Sequence, residues 1–594
     1  METFNLQSYR RNIVASLYRS TFLVFLMSML ATAIGNVIDG IIIGNMLGAD
    51  SMAAFGFTTP YQKFTAIFPN IFALGMQILC SQNLGKGKLK DANGIFSLAL
   101  SVAISLAILF TAMTFIFPAQ IADILDAEEN LGIIRTETID YLQAFSLGLP
   151  AVATVALLSP IMQLDGDRQR AVKAVTILSA SNVIGDLICI NYFGGTMWGI
   201  GIVTTVSYYL AAGFLILHFF KPTANFKFLP AYMRFSNLKE MLLIGSPSAL
   251  GRGASMLQSG FLNYVALSIG GGAGVAAVAI FNNIFSMIET FPKAAAYSFQ
   301  IIAGIFIGEE DRKSISRLAE IAIKYSVIIS LTTAGILILA APLIADVYTS
   351  DKNPAVFEMV ADSIKWIAFS LIFLSLTEML QYFYQAYGRF KLVNIMAFAN
   401  NVLFVVPFVL LLTPYFEMTG IWSGFLLSKI VCLLVIIFGV CCFYKKITFD
   451  LEDILLLPKD FDSAENPKIN MTVNFKDDDL SLSEVVEVFL EKHNISRKKT
   501  MYAAICVEEM AENILEYGFN DGQKHSIDIR IVIKGEEVII RFRDDCRAFN
   551  PKKWYEFHYP EDLTAHIGIR LVSKISKEFK YINVLKLNNL IIKI

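Results

Sequence analysis

Three residues in the apolar part of the chain have the types and spacing for ion chemistry. Asp39 stands in ATAIGNVIDGIIIGNMLG, residues 31–48, with hydrophobic neighbours and glycines on both sides. A carboxylate at membrane depth costs roughly 2.5–3.5 kcal/mol on insertion scales, and such residues usually face a cavity. In a second apolar stretch Asn182 and Asp186 are four apart, so they share one helical face. A further pair, Glu509 and Asn513, has the same spacing near the C-terminus, in CVEEMAENILEYGF.

The elements that must position these residues follow from composition. The chain has 594 residues, a mean hydropathy of +0.56, 55% hydrophobic and only 17% charged residues, against about 25% charged in soluble proteins. Apolar runs of about 20 residues recur from Thr21 to Val440, as in a polytopic α-helical membrane protein. We read twelve helices, near 15–43, 52–80, 94–117, 135–163, 171–190, 196–220, 240–268, 275–306, 318–345, 356–387, 392–413 and 419–443. They are numbered 1 to 12 below. The apolar character stops near Tyr444, where acidic and basic residues begin to alternate. The net charge of −2 points to no partner, and nothing in the chain calls for nucleic acid. The seven cysteines show no metal-ligand spacing, and most fall in expected membrane helices, which argues against a disulfide framework. The N-terminus lacks the pattern of a cleavable signal.

Basic residues set the expected orientation. With the N-terminus in the cytoplasm, the inside segments carry twenty Lys and Arg, and the outside loops carry only Arg135 and Lys352. Both termini are then cytoplasmic; as the location we expect the inner membrane of a bacterial cell. The chain also repeats itself. At an offset of 223, Phe68/Phe291, Pro69/Pro292, Ala73/Ala296, Gln77/Gln300 and Gly85/Gly308 match, and after one deletion Gln163/Gln385 and Gly166/Gly388 follow at 222. A six-helix repeat keeps its orientation, so two pseudo-symmetric lobes, 1–222 and 223–446, are expected around a substrate path. Pro69 and Pro292 should kink helices 2 and 8.

The order VIDGIIIGNMLGADSMAAFGFTTP, LGKGK, MQLDGDRQR and YQAYGRFK resembles the multidrug and toxic compound extrusion (MATE) transporters over roughly residues 10–445. The resemblance implies antiport of small organic compounds coupled to a proton or sodium ion. It also implies that Asp39, Asn182 and Asp186 form the cation-coupling site. Two close carboxylates in low dielectric do not both ionise easily, so protonation or a bound cation relieves them and can shift a bistable helix. The alternative is that Asp186 is hydrated near the end of its helix. The second lobe has Asn400 and Asn401 but no acid at the repeat of Asp186, and Leu262 stands at the repeat of Asp39. Its charges are Arg252, Glu289, Lys293, Lys365, Glu378 and Lys429. Glu289 and Lys293, four apart, read as an internal ion pair or, for Glu289 and Glu378, as contacts for a cationic substrate. Lys63 either lines the cleft or snorkels, and Gln77 and Gln300 complete the expected cleft set.

After a linker at 447–468, residues 469–594 read as a soluble α+β sandwich. INMTVNF is a strand, 482–495 and 501–519 are helices, SIDIRIVIKGEEVIIRFRDD is a hairpin, and a last helix precedes YINVLKL and LIIKI. The LEDILLLP piece of the linker should lie on the membrane or on the tail. CVEEMAENILEYGF, FRDDCRAFNP and HIGIRLVSKI together resemble the histidine-kinase-like ATPase fold of the anti-sigma-factor serine kinases. That resemblance implies Glu509 as a base, Asn513 as a magnesium ligand and Asp544 as acceptor of the adenine amino group. It implies ATP and magnesium as cofactors, an anti-anti-sigma-like or other cytoplasmic protein as partner, and a dimer through the tail. Cys546 and Ala548 stand where glycines are expected, and His566-Ile567-Gly568 replaces a Gly-x-Gly, which restricts the backbone near phosphate. No G-x-x-x-x-G-K-[ST] stretch occurs, so ATP does not power transport through a P-loop. Three other readings stay open: a lipid-linked-precursor flippase with a cationic cleft, a membrane-tethered serine kinase whose helical half is a sensor, and, for the tail, a degenerate domain kept for protein contacts.

Overall fold

The computed structural model describes residues 7–125, 132–222, 224–348, 354–448, 450–458, 461–462, 466–473, 481–519, 525–551 and 567–594. Lys352, the end of the first tail strand at 474–475, and His566 lie outside them.

Among the described residues, nine helices are long and apolar enough to cross a membrane, and Ile133–Ser146 with Leu149–Leu164, bent by 50°, make a tenth span. Two of the nine are too long for one crossing. Ser236–Gly308 has 73 residues, about 110 Å of helix against a hydrocarbon core of about 30 Å. Non-helical backbone at Gly271 turns it back. There a Cβ on Gly274 would lie 2.6 Å from the Ala266 carbonyl oxygen, and Ser259 Oγ donates to Asn282 Oδ1 at 3.5 Å across the hairpin. Phe390–Tyr444 turns at Glu417, where Gly420 packs on the Thr413 backbone and Gly424 on that of Val409. With these two taken as pairs, the ten spans become twelve traverses, in the order expected. Helix 2, Ala49–Gly85, continues through Pro60 and Pro69 without a break, whereas a helical break at Glu289 precedes Pro292.

The two halves meet along the ends of their helices nearest the tail. Gly75 faces the Met241 carbonyl and Gly245 that of Ile71, so close that a Cβ at either would lie 2.4 or 2.2 Å from oxygen. Further along, Gly85 meets the Ile305 carbonyl and Gly308 that of Gln82. Tyr18 donates to the Ala295 carbonyl at 3.2 Å, and Phe25 stacks on Tyr297. Asp39 is 21 residues beyond Tyr18 on the same helix, Gln7–Ile42, which places it about 30 Å further from that seal.

The tail is one five-stranded antiparallel sheet in the order β1-β2-β3-β5-β4, with β1 Lys468–Val473, β2 Ile527–Lys534, β3 Glu537–Asp544, β4 Glu578–Val584 and β5 Leu587–Lys593. Strand alternation explains its two faces. Ile527, Ile529, Ile531, Ile533, Val538, Ile540 and Phe542 pack with helices Leu482–Lys492 and Arg497–Gly518 in one core. The alternate residues, among them Arg530, Arg541 and Arg543, point to the transporter. Arg543 forms a buried ion pair with Glu309, and Arg541 Nη1 stands 3.4 Å from the same carboxylate. Arg530 pairs with Asp311 and Asp462, each at 2.9 Å, and Lys534 with Glu310 at 2.6 Å. The β4–β5 turn reaches the first half instead. The Leu585 amide donates to the Leu164 carbonyl at 3.1 Å, and Arg168 Nη2 donates to the Leu585 carbonyl. The tail therefore touches both halves on the side where they are sealed.

The linker corrects one expectation. Leu455, Leu456 and Leu457 are buried in the core of the transporter, not on the membrane or the tail core. Arg389 Nη2 donates to the Leu456 carbonyl at 2.6 Å, and Arg312 pairs with Glu452 at 3.2 Å. Three consecutive leucines have no amphipathic period, so the sequence alone does not tell which surface covers them.

Candidate functional site

Helix 1 carries Asp39 toward the end away from the tail, and a π-helical segment, Ile43–Leu47, follows directly. Helix 5, Arg168–Phe193, places Asn182 and Asp186 one turn apart facing it. Asp186 is fully buried and Asn182 nearly so. Asn182 and Asp39 interact through their side chains, and the Asp186 and Asp39 carboxylates repel each other. Among the described residues, neither oxygen of Asp186 finds a hydrogen-bond partner, nor do Oδ1 of Asp39 and Oδ1 of Asn182. A buried polar atom without a partner costs about 1–3 kcal/mol, more when charged. Four buried oxygens with no donor, on two carboxylates that repel each other and on an amide beside them, are what a cation, or a proton shared between carboxylates, would satisfy.

Two aromatic hydroxyls complete this pocket, and sequence reasoning did not single them out. Tyr141 on helix 4 and Tyr208 on helix 6 both feel the Asp39 charge, and Tyr141 is hydrogen-bonded to Thr204. Their only signal was a polar atom in an apolar helix, which many buried tyrosines share.

The second half holds a different network. Lys293 Nζ pairs with Glu289 at 2.6 Å, the internal ion pair that their spacing allows. Glu378 is buried beside that pair and Lys429, and its Oε2 has no partner among the described residues. Lys429 donates to the Asn400 carbonyl at 2.6 Å and to its Oδ1 at 3.0 Å, and lies over the Phe425 ring. Gln300 sits between helices, donating to Gln385 Oε1 at 3.0 Å, and Gln77 is equally enclosed. Both stand between helices near the seal, and Gln77 Nε2 and Gln300 Oε1 find no hydrogen-bond partner among the described residues. Arg252 and Lys63 are exposed, and Lys365 pairs with Asp362 at 2.9 Å.

In the tail, helix Arg497–Gly518 brings Glu509 and Asn513 to one edge, and Asn513 Nδ2 donates to the Glu509 carbonyl at 2.6 Å. Partial burial, then Glu512 and Glu508, raise the Glu509 carboxyl above its ordinary range. Gly568, at the start of helix Ile567–Ile575, stands over both: a Cβ there would lie 2.0 Å from Glu509 Oε2 and 3.3 Å from Asn513 Nδ2. Asp544 is buried, accepting from Asn588 Nδ2 at 2.7 Å and from the Cys546 amide at 3.1 Å. Burial pushes its carboxyl up to about 6, against the opposing pull of those two donors. Cys546 is buried with its sulfur against Gly518, a packing role, and Ala548 lies on the exposed turn after β3.

Comparison with known proteins matches the helical part. The MatE family model matches residues 25–188 and 247–411. The chain is 23% identical over 444 residues to the multidrug export protein MepA of Staphylococcus haemolyticus, covering 73% of this chain and 95% of that protein. MepA of Staphylococcus aureus matches equally well over 445 residues. Among solved structures, MATE in complex with MaL6 superposes with a TM-score of 0.67 at 20% identity, over 73% of this chain and 97% of that one. A transporter of the MOP superfamily from Pyrococcus furiosus, described as having a binding pocket of reverse polarity, gives 0.66 at 20% identity over the same shares.

Proposed function

This chain belongs to the MatE family and is a multi-pass membrane transporter, and from that premise we propose that it exports organic compounds by cation-coupled antiport. The observation that carries the reading is the set of unpartnered oxygens on Asp39, Asn182 and Asp186. A proton or sodium ion entering there removes the repulsion between the two carboxylates and favours one arrangement of helices 1 and 5. Substrate then competes for the other arrangement, and the seal between Gly85 and Gly308 has to open for the cycle to complete. Multidrug export by MepA supports organic compounds as the substrate class. The half-buried Lys293 and the buried Lys429 are engaged by Glu289 and Asn400, which favours this reading over a flippase with a cationic cleft.

Its test is dye efflux from vesicles with an imposed proton or sodium gradient and no ATP. Efflux that follows the gradient in wild type and in Glu509→Ala, but not in Asp39→Asn, supports antiport. Efflux indifferent to Asp39→Asn removes that acid from the mechanism.

For the tail we propose a nucleotide-binding domain of the histidine-kinase-like type that regulates the transporter from the cytoplasm. Gly568 closes directly on Glu509 and Asn513, with no room even for a Cβ, so a magnesium-bearing phosphate held by those two residues would require helix Ile567–Ile575 to move away. A bound magnesium nucleotide would supply the transferable phosphate, and Glu509, with its raised carboxyl, would take the acceptor's proton. Gly568→Ala should drive its new Cβ into the Glu509 carboxylate and weaken ATP binding by the full-length protein at least tenfold, leaving transport without ATP unchanged. Unaltered affinity would place ATP elsewhere. Asp544 adds a pH dependence. Its ionised form accepts the adenine amine, so ATP affinity should be constant above about pH 6 and fall about tenfold per unit below it. A titration flat from pH 7 to 5 would exclude Asp544 from the adenine site.

A further inference from the structure

A cavity of about 790 Å³ lies between the polar face of the tail sheet and the loops of the transporter, within the range of small-molecule sites. It shares no lining residue with the Glu509–Asn513 edge. Seven basic side chains and four carboxylates line it. The carboxylates are already engaged. Glu578 is held by Lys580 and by Lys593 at 2.8 Å, Glu310 by Lys534, Asp462 by Arg530 and Lys468, and Glu309 by Arg543.

That leaves cations in surplus. Lys86 and Lys88, in the LGKGK turn between helices 2 and 3, are exposed, and no carboxylate lies within ion-pair distance of either among the described residues. The turn sits on the sheet: a Cβ on Gly87, whose φ is +72°, would lie 3.0 Å from Ile591 Cδ1 and 3.7 Å from Lys580 Cδ. The two lysines thus enter the cavity beside Lys580. Arg541 forms the buried wall, and its nearest acid, at 3.4 Å, is the one Arg543 occupies. Burial lowers the Arg541 pKa, Glu309 offsets part of this, and Arg543 and Arg530 repel it further. Ile539, Ile591, Tyr387 and Phe461 make the cavity half apolar, with the two rings edge to face at 5.9 Å.

We propose that this cavity binds a multiply charged, phosphate-bearing anion, gripped by Lys86 and Lys88 from the transporter and by Arg541 from the tail, beside Lys580 and Lys593, which share the single carboxylate of Glu578. The ligand would complete a charge balance that the protein leaves open, and would tie the turn between helices 2 and 3 to the sheet. The inference rests on the docked position of the tail. It does not depend on antiport or on nucleotide binding at Glu509 and Asn513. A soluble polyphosphate compound and the headgroup of an anionic lipid present the same chemistry.

The test uses the full-length protein with two probes, inorganic tripolyphosphate in neutral detergent and nanodiscs of phosphatidylglycerol against phosphatidylcholine. Calorimetric binding of tripolyphosphate and a rise in thermal stability are expected, both weakening steeply with salt. In the double variant K86E/K88E the affinity should fall at least tenfold, while Asn513→Ala leaves it unchanged. Stabilisation by phosphatidylglycerol alone, lost in the double variant, would identify the headgroup as the source and would equally support the site. The exposed lysines can be replaced without disturbing the fold, and the unliganded thermal stability of the double variant checks this. Absence of binding at millimolar tripolyphosphate together with no effect of phosphatidylglycerol would overturn the proposal. So would binding that survives K86E/K88E or is lost in Asn513→Ala.

Discussion

Arg543→Ala should release the tail from the transporter while both parts stay folded. The substitution leaves Glu309 buried, with a side-chain exposure of 2%, and only the more distant Arg541 to face it. Removing one partner of a buried ion pair costs about 3–5 kcal/mol, and even the lower figure is a hundredfold or more in the docking equilibrium. The tail fold should survive, because its core lies on the opposite face of the sheet, in Ile529, Ile531, Ile540 and Phe542. Hydrogen exchange should therefore rise in the transporter loop at 308–312 and on the docked face of β2 and β3, with protection of helix Arg497–Gly518 retained. Because the tail touches both halves where they are sealed, its release should also speed opening between Gly85 and Gly308, read as faster turnover. Unchanged exchange and turnover would mean that the pair does not hold the tail.

Asp186→Asn should make the protein more stable and less able to transport. In the wild type, the two oxygens of Asp186 lie buried without partners, in the field of Asp39. An amide removes the charge and the repulsion, and relieving a buried, unpaired charge is worth about 1–3 kcal/mol or more. The thermal midpoint in detergent should rise, while gradient-driven efflux falls at least a hundredfold. A purely structural residue would behave oppositely, losing stability and activity together. Loss of folding in this variant, with transport in the remainder unaffected, would assign Asp186 to packing.

How much was legible differs between the two ends of the chain. The membrane spans were legible because twenty-residue apolar runs have few other uses, and even the turns at Gly271 and Glu417 fall between the expected helix pairs 7/8 and 11/12. Asp39, Asn182 and Asp186 could be found as expensive polar atoms in apolar helices. Tyr141 and Tyr208 could not, since a tyrosine carries no comparable penalty when buried. Gln77 and Gln300 show the limit of the same logic: a glutamine buried between helices looks like a cleft residue in sequence. In the tail, the alternation of SIDIRIVIK separates the two faces of β2, but only the fold reveals that Arg530 meets Asp311 and not water. Docking depends on residues more than two hundred positions apart, and no local pattern encodes it.

The central claim is that Asp39 and Asp186 hold the coupling cation. The most direct measurement is cation binding by the purified protein, with sodium binding followed by calorimetry and proton uptake by a pH-indicator dye. Wild type should bind one of the two ions in the absence of substrate, and added substrate should release it. Asp39→Asn and Asp186→Asn should each abolish both signals, while Glu378→Gln preserves them. Ion binding and substrate-driven release that persist in Asp186→Asn would contradict the assignment and place the coupling site outside the first half of the transporter.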